Sequence, residues 1–154
     1  MLFPSLRLGY IVVPERLVDA FSAVKSVTTR HAALLDQAVL SDFITGGHFG
    51  RHIRKMREVY AERLGCLVDG VNRQLAGALD ITAVEAGLQA AGMLQPGVDA
   101  EAVARAALAR QVEVTPLSRY AHNSMPRDGL QLGFAPVGTR EIRRGVEVLA
   151  GILT

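Results

Sequence analysis

The chain has 154 residues, of which 49% are hydrophobic and 21% are charged, so it is long enough to bury a core and too apolar to be a disordered tail. Its 17 basic and 15 acidic residues leave a net charge of +2, which is too small to indicate nucleic-acid binding from charge alone. The single cysteine, Cys66, excludes an internal disulfide and is typical of a reducing compartment. Without an apolar run of about 20 residues or a recognisable signal peptide, the sequence predicts a soluble cytoplasmic chain.

The opening residues predict a buried strand with a cation near its start. Leu6 to Val13 is an apolar run that Pro14 stops, a pattern typical of a strand covered on both faces in a parallel sheet. Arg7 would then need an anion or several hydrogen-bond acceptors, because a buried guanidinium without a partner is strongly unfavourable. The residues alone leave two interpretations open for Arg7: a structural ion pair, or an oxyanion site suited to a phosphate group.

Three helices are predicted to follow this strand. Apolar residues at helical spacing indicate a helix from Pro14 to about Thr29, and a second from about Ala32 to Ile44 that ends at Gly46-Gly47. The third and longest runs from about Phe49 to Leu75 and is closed by Gly77. Its inward stripe is predicted to be Phe49, Ile53, Met56, Tyr60, Leu64, Val68, Val71 and Leu75.

Short strands and helices alternate after Gly77. The predicted strands are Ile81 to Val84 and Gly87 to Leu94, joined by a tight Glu85-Ala86 connection, then Val112 to Thr115 and Leu130 to Phe134. The predicted helices are one from the N-cap Asp99 to about Ala109 and a final one capped by Thr139. Helices followed by strands that alternate with helices indicate an α+β lobe.

The segment around Arg7 resembles a known family. Leu2-Phe3-Pro4-Ser5-Leu6-Arg7-Leu8-Gly9-Tyr10 is similar to the segment that follows the Schiff-base lysine in fold-type-I pyridoxal-phosphate (PLP) enzymes, and most similar to the aminotransferase-like domain of MocR/GntR-type transcriptional regulators. The resemblance implies that Arg7 contacts the cofactor phosphate. It also implies that the lysine would stand immediately before Met1, so that this chain would lack it.

Further matches to the family extend along nearly the whole chain. They are Gly47-His48-Phe49, Arg51 to Arg57, Tyr60 to Arg63, Ala86-Gly87-Leu88, Val114 to Tyr120, Leu130 to Ala135 and Glu141 to Val146. The resemblance implies the small C-terminal lobe of a type-I PLP aminotransferase fold, with long helices, a short and mainly antiparallel sheet, and a leftover large-lobe strand at the N-terminus. It also implies two parts: residues 1–30 as the large-lobe strand and linker helix, and residues 31–154 as the small lobe.

Two further residues are candidates for contact with a ligand. Gln131 stands where many aminotransferases of this fold carry an arginine that pairs with the substrate carboxylate, and its uncharged amide argues against an ordinary α-amino-acid substrate. A plain strand residue is the alternative interpretation. Arg119, next to Tyr120, is predicted to approach a ligand anion. No catalytic residue is predicted within the chain, and PLP, the cofactor of the parent family, is not expected to bind to this chain alone.

Other chemical patterns are interpreted as structural. His48 and His52 have the spacing of a metal-binding pair, but a third ligand is missing and nearby arginines repel cations, so no metal site is predicted. The basic run from Arg51 to Arg57 is interpreted as a solvated helix face or a contact with an acidic partner. Cys66 is predicted to be a buried, inert thiol.

The combined prediction is a C-terminal fragment of a PLP-dependent, aminotransferase-like regulator that lacks the Schiff-base lysine and the DNA-binding domain and is inactive alone. Two alternatives are open: a stand-alone effector-binding or dimerisation module, and one half of a split transaminase. The predicted partners are a second copy or the missing large-lobe polypeptide, with a small amine or amino-acid effector in the parent family and no direct contact with nucleic acid or membrane. The apolar strand with open edges is expected to promote self-association.

Overall fold

The structure is a computed structural model of the chain, and it describes residues 7–30, 33–81, 84, 87–123 and 125–154. The fold divides into two compact units, Met1–Met56 and Arg57–Thr154. The family resemblance implies a different division, in which the boundary between the two lobes lies between residues 30 and 31. That division stays a prediction.

The first unit contains helices with little burial. After a 3₁₀ turn over Glu15–Leu17, it comprises α1 (Val18–Thr28), α2 (Leu34–Thr45) and the beginning of α3 (His48–Gln74). Gly47 adopts a left-handed φ of 73° directly after α2, which agrees with the predicted helix stop at Gly46-Gly47. None of the residues that the structure describes in this unit is buried.

The strand predicted over Leu6 to Val13 is wrong for the residues that the structure describes. Residues 7–14 form no strand, and Tyr10 and Val12 are 90% and 86% exposed; Leu6 lies outside the described residues. An apolar segment becomes a strand only when a neighbouring strand shares its backbone hydrogen bonds. No described segment of this chain supplies that neighbour.

The second unit holds the hydrophobic core. Its elements after α3 are β1 (Leu79–Ile81), β2 (Gln89–Leu94), α4 (Ala100–Leu108), β3 (Thr115–Pro116), a 3₁₀ turn (Leu117–Tyr120), β4 (Gly129–Gly133) and α5 (Thr139–Leu153). The strands that the structure describes form one antiparallel sheet in the order β1-β2-β4-β3. The predicted short antiparallel sheet among long helices is therefore confirmed.

One face of this sheet is buried under the helices. Leu94, Leu130 and Leu132 are at most 4% exposed and belong to the core that residues of α3, α4 and α5 complete. Alternate side chains of a strand point to the opposite face. On that face Gln131 of β4 stands in register with Ala91 of β2 and Thr115 of β3, so the sheet has one apolar and one accessible face.

The C-terminal half of α3 packs closely on α5. A Cβ atom at Gly70 would lie 3.2 Å from Cγ2 of Val146, so a glycine at this point lets the two helices approach each other. In the predicted inward stripe of α3, Val71 and Leu75 are 1% exposed, whereas the six earlier members are half-buried. Leu67, which the predicted stripe omits, is buried as well.

Of the two predicted helix caps, one is confirmed and the other is wrong. Asp99 caps α4 as predicted, because its Oδ1 accepts hydrogen bonds from the backbone N–H groups of Glu101 at 2.9 Å and Ala102 at 3.0 Å. The cap predicted at Thr139 is wrong, since Thr139 is the first residue of α5. Gly138 is the N-cap, and its carbonyl accepts the first backbone bond of the helix.

The strand predicted over Val112 to Thr115 is reduced to Thr115–Pro116. α4 closes in a turn where Gln111 has a left-handed φ of 60° and the N–H of Val112 donates back to the carbonyl of Ala107 at 3.0 Å. The chain therefore pairs with β4 only from Thr115 onward.

The other strands also differ from their predicted bounds. The strand predicted over Ile81 to Val84 is observed as β1, which ends at Ile81, and Val84 is not in a strand. The predicted Glu85-Ala86 connection lies outside the described residues. β2 begins at Gln89 instead of Gly87, and β4 starts and ends one residue earlier than predicted.

Gly129 begins β4 where the sheet is tightly packed. A Cβ atom at this position would lie 2.5 Å from the backbone oxygen of Gly92 and 2.8 Å from Cδ1 of Leu117. We expect Gly129→Ala to lower the free energy of unfolding by about 3 kcal/mol, because the backbone of β2 has to move.

Gly133, in the same strand, provides the control. No described atom lies within 4 Å of an added Cβ there, so Gly133→Ala should change the free energy of unfolding by less than about 0.5 kcal/mol. Urea denaturation of both variants measures the difference, and equal stability of the two would contradict the expected clash.

Candidate functional site

Gln131 occupies the middle of β4 on the accessible face of the sheet. It pairs with Ala91 of β2 on one side and with Thr115 of β3 on the other, and it is half-buried. The hydroxyl group of Tyr120 donates a hydrogen bond to Oε1 of Gln131 at 3.0 Å. With Oε1 accepting this bond, the amide nitrogen of Gln131 is oriented to donate to another group.

A turn fixed by Asp128 holds Tyr120 in place. Oδ1 of Asp128 accepts hydrogen bonds from the backbone N–H groups of Ser118 at 3.0 Å and Gly129 at 2.7 Å, so one carboxylate joins the 3₁₀ turn to the start of β4. Burial raises the pKa of Asp128, but the hydrogen bonds from Ser118 and Gly129 outweigh burial and hold that pKa below its usual value. The carboxylate is therefore ionised at neutral pH.

Arg119, the other predicted ligand-side residue, forms an ion pair. Its Nε and Nη2 atoms donate to the two carboxylate oxygens of Glu101, each at 2.7 Å. This hydrogen bonding lowers the pKa of Glu101 and raises the pKa of Arg119. The side chains of Arg119 and Glu101 are 56% and 38% exposed, so a ligand anion would reach Arg119 by competing with Glu101.

A groove of about 490 Å³ lies beside Gln131, between β4, residues 111–115 and α5. We call it the β4–α5 groove. Its volume is in the range of small-molecule sites. Apolar residues such as Ile142, Val146 and Leu149 line it, together with the uncharged polar residues Gln89, Gln111, Thr115 and Gln131 and the charged residues Glu113, Glu141 and Arg144.

Arg7 lies in the first unit, where its side chain is exposed and its φ of 52° falls in the left-handed region. A residue other than glycine adopts this conformation with some strain, and such strain is often found at binding sites. Among the described residues, none pairs with the guanidinium of Arg7. Its fork of donors fits a phosphate group in chemical type.

The predicted site residues thus have different partners and belong to different units of the chain. Within the second unit, the structure brings Gln131 together with Tyr120 and brings Arg119 together with Glu101. Arg7 belongs to the first unit. The roles predicted for Arg7, Gln131 and Arg119 stay predictions.

His48 and Cys66, two other candidate groups, make contacts within the fold. His48 is the first residue of α3, and its ring stacks on Phe43 with 5.8 Å between the ring centroids. Among the residues described, no three His, Cys, Asp or Glu side chains come together as a possible metal site. Cys66 is half-buried, and its thiol donates to the carbonyl of Thr139 at 3.6 Å. The helices in the described part of the chain include none that could span a membrane.

Sequence reasoning does not find the residues that position Gln131 and Arg119. The hydrogen bond between Tyr120 and Gln131 depends on the register of β3 and β4, for which the sequence carries no signal. The Asp128-Gly129 pair before an apolar strand is typical of a turn stabilised by an aspartate, and it could have pointed to Asp128.

Comparisons with curated proteins identify relatives along the whole chain. The probable rhizopine catabolism regulatory protein MocR of Rhizobium meliloti is 42% identical over 148 residues, which are 96% of this chain and 30% of that protein. The uncharacterised HTH-type transcriptional regulator YcxD of Bacillus subtilis (strain 168) is 30% identical over 154 residues, which are 97% of this chain and 35% of that protein. The chain spans about a third of the length of these relatives. No family model matches it.

Solved aminotransferases have the same fold. LysN, an α-aminoadipate aminotransferase of Thermus thermophilus solved with N-(5'-phosphopyridoxyl)-L-leucine, matches 97% of this chain with a TM-score of 0.88 and 23% identity, over 38% of its own chain. The kynurenine aminotransferase of Pyrococcus horikoshii gives a TM-score of 0.88 at 22% identity, over 97% of this chain and 37% of its own. These matches confirm the predicted PLP aminotransferase fold, of which the chain covers about a third.

The hydrogen bonds to Asp128 predict a pH-dependent contribution to stability. We expect Asp128→Ala to lower the free energy of unfolding at pH 7 by about 2 kcal/mol, because two backbone donors lose a charged acceptor. Asp128→Asn, which keeps an acceptor oxygen, should lose less.

The sign of the pH dependence follows from the lowered pKa of Asp128. A carboxyl group with a lower pKa in the folded state stabilises the fold above its unfolded pKa of about 4, and this contribution is lost as the pH falls through the folded pKa. Urea denaturation at neutral and acidic pH measures it. A stability difference between wild type and Asp128→Asn that persists at low pH would be inconsistent with this assignment.

Proposed function

Since this chain is homologous to the C-terminal part of MocR and other GntR-type regulators with aminotransferase-like domains, we propose that it is the small lobe of a ligand-sensing, PLP-dependent domain in a transcriptional regulator. The observation that carries the proposal is the 42% identity to a MocR regulator over 96% of the chain. The chain matches about a third of such a protein. We therefore propose which residues of this chain contribute to a site that the longer protein completes.

Arg7 is the proposed cofactor contact in this chain. Its exposed guanidinium can donate two parallel hydrogen bonds to the phosphate of PLP. When bound, PLP supplies an aldehyde that reacts with amines and a ring that withdraws electrons. The lysines of this sequence are Lys25 and Lys55, and both lie in helices, in α1 and α3. We therefore assign the Schiff-base lysine to a part of the protein outside this sequence.

Gln131 and Arg119 are the proposed ligand contacts. Gln131 offers an amide donor whose orientation Tyr120 sets, and Arg119 offers a cation that an anionic group could take from Glu101. The proposal gives this chain no contact with DNA, because the exposed basic side chains of α3 lack the interleaved aromatic residues of a nucleic-acid surface.

A second candidate function is one half of a split transaminase, which the likeness to solved aminotransferases favours. The gene sequence upstream of Met1 distinguishes the candidates. An in-frame Ser-Lys directly before Met1 supports a truncation or a mis-set start of one longer protein, as the regulator requires, and a neighbouring gene that ends in a large-lobe sequence supports the split enzyme. If neither is present, the stand-alone effector-binding or dimerisation module is favoured.

The role of Arg7 can be tested on the longer protein from this reading frame, or on the complex with a separately encoded large lobe. We expect this assembly to bind PLP with the absorption of an imine, and the present chain alone to show none. Arg7→Ala should weaken PLP binding about 10- to 100-fold, since a bidentate charged contact is lost.

Two controls make the Arg7 test specific. Pyridoxal, which has no phosphate, should bind equally to the wild type and to Arg7→Ala. Arg16→Ala, which removes another exposed arginine of the first unit, should leave PLP binding unchanged. Loss of pyridoxal binding in parallel with PLP, or no loss of either, would argue against the phosphate contact.

The first unit is the proposed surface for association with a second copy or with the large lobe. Its exposed apolar side chains include Tyr10, Ile11, Val12, Val27, Leu34 and Leu35, each at least 74% exposed. Three of them, Tyr10, Ile11 and Val12, are consecutive in the chain, and apolar side chains exposed together are typical of interfaces.

We expect the apparent mass of the chain to rise with concentration in size-exclusion chromatography. Ile11→Asp should shift it toward the monomer, because a charge is placed in the apolar surface. Leu108→Asp, at a 63% exposed leucine of the second unit, is the matched control and should behave like the wild type. A wild-type monomer at every concentration would rule out this surface.

A further inference from the structure

A patch of positive charge lies near the beginning of α3. Arg51, Arg54 and Lys55 are exposed, and their spacing of three and four residues places them on one face of the helix. A Cβ atom at Gly50 would lie 3.8 Å from Nη1 of Arg54, so the guanidinium of Arg54 extends back along the helix toward its first turn. We call these three side chains, all of the first unit, the α3 basic patch.

The chain does not neutralise the α3 basic patch. Among the residues that the structure describes, no carboxylate forms an ion pair with any of its three side chains, and none of the three donates a hydrogen bond. In the second unit, by contrast, Arg119 and Arg127 are each paired with a carboxylate, at 2.7 and 2.6 Å. The cations of the patch therefore keep their hydrogen-bond donors for a group outside this chain.

Positive charge near the beginning of a helix is unfavourable unless an anion accompanies it. The first N–H groups of a helix carry a partial positive charge, which acidic side chains offset. The first turn of α3 contains no acidic residue, and Arg51 adds a further positive charge there. The first unit as a whole has seven basic and four acidic residues, whereas the second has ten and eleven. Local arrangements that cost stability are expected where residues serve binding.

The chemistry of the patch and its end on the helix favour carboxylates on a short segment. Guanidinium groups bind a carboxylate through two parallel hydrogen bonds. Glu58 and Glu62 are exposed and follow on the same face of α3, one and two turns after the patch. A long polyanion such as duplex DNA that runs along this face would meet both carboxylates, whereas a short acidic segment contacts the cations alone.

A second copy of this chain has no segment that matches the patch in charge. Residues 51–57 contain four cations, but no stretch of seven residues in the sequence contains more than two carboxylates. We propose that the α3 basic patch binds an acidic segment of a separate protein, which presents carboxylates at helical spacing. This interaction uses none of Arg7, Gln131 and Arg119 and goes beyond the proposed function.

Two labelled peptides test the proposal on the present chain by fluorescence anisotropy. A peptide of four Glu-Ala-Ala-Ala repeats carries carboxylates at helical spacing, and its Gln-Ala-Ala-Ala counterpart has the same length without the charge. The Glu peptide should bind with a dissociation constant of about 100 μM, at least about tenfold more tightly than the Gln peptide. Raising the salt concentration from about 50 to about 200 mM should weaken its binding several-fold, because ion pairs are screened.

Substitution of the whole patch should abolish this preference. The triple variant Arg51→Ala, Arg54→Ala and Lys55→Ala should bind the Glu peptide at least about tenfold more weakly, because the charged donors are lost. Alanine is a strong helix former, so α3 should remain intact, which far-UV circular dichroism checks.

The first unit offers a control with the same change in charge. Arg16→Ala, Lys25→Ala and Arg30→Ala together remove three exposed cations outside α3 and should alter the affinity less than about twofold. The inference is overturned if both triple variants lose the same affinity, since net charge alone would then explain binding. Equal binding of the Glu and Gln peptides would overturn it as well.

Two further measurements identify the source of the anion. If a duplex of about 20 base pairs binds more tightly than the Glu peptide and loses affinity in the patch variant, the patch is a nucleic-acid contact and the proposal is wrong. The longer protein from this reading frame should bind the Glu peptide as tightly as the present chain does. If it does not bind, its own remainder covers the patch, and a separate partner is ruled out.

Discussion

The burial of one face of a four-stranded sheet under α3, α4 and α5 is the constraint on which the second unit depends. Leu94 and Leu130 are fully buried on that face, and Val146 of α5 is 1% exposed. Within the sheet, a Cβ atom at Gly92 of β2 would lie 2.9 Å from Cδ1 of Leu79 of β1, so neighbouring strands are closely packed as well. Because side chains alternate along a strand, the buried face also determines which residues of β4 remain accessible, and Gln131 is among them.

The parts of the fold that follow from local periodicity could be predicted from the sequence. The long helix α3 and the final helix α5 carry apolar residues at helical spacing over many turns, and both form. Asp99 caps α4 because its carboxylate reaches backbone N–H groups only two and three residues away. Such interactions need no knowledge of distant parts of the chain.

The parts that depend on distant neighbours could not be predicted. β3 is shortened by the left-handed turn at Gln111, a conformation that a glutamine does not signal. The bonds that Asp128 and Tyr120 make depend on where the 3₁₀ turn meets β4, and Gln131 was identified through the family resemblance and not from its own chemistry. The apolar pattern from Leu6 to Val13 would form a strand only beside partners that the described residues do not include.

The two edge strands of the sheet have a consequence for how copies of the chain meet. β3 is two residues long and contains Pro116, which has no amide hydrogen to offer to an incoming strand, and β1 is three residues long with the charged Asp80 at its centre, bonded to Arg127 at 2.6 Å. Such edges are poor templates for extending a sheet from one molecule into the next. Crowded solutions of this protein should therefore be protected from fibre-like growth through the second unit, whatever the first unit does.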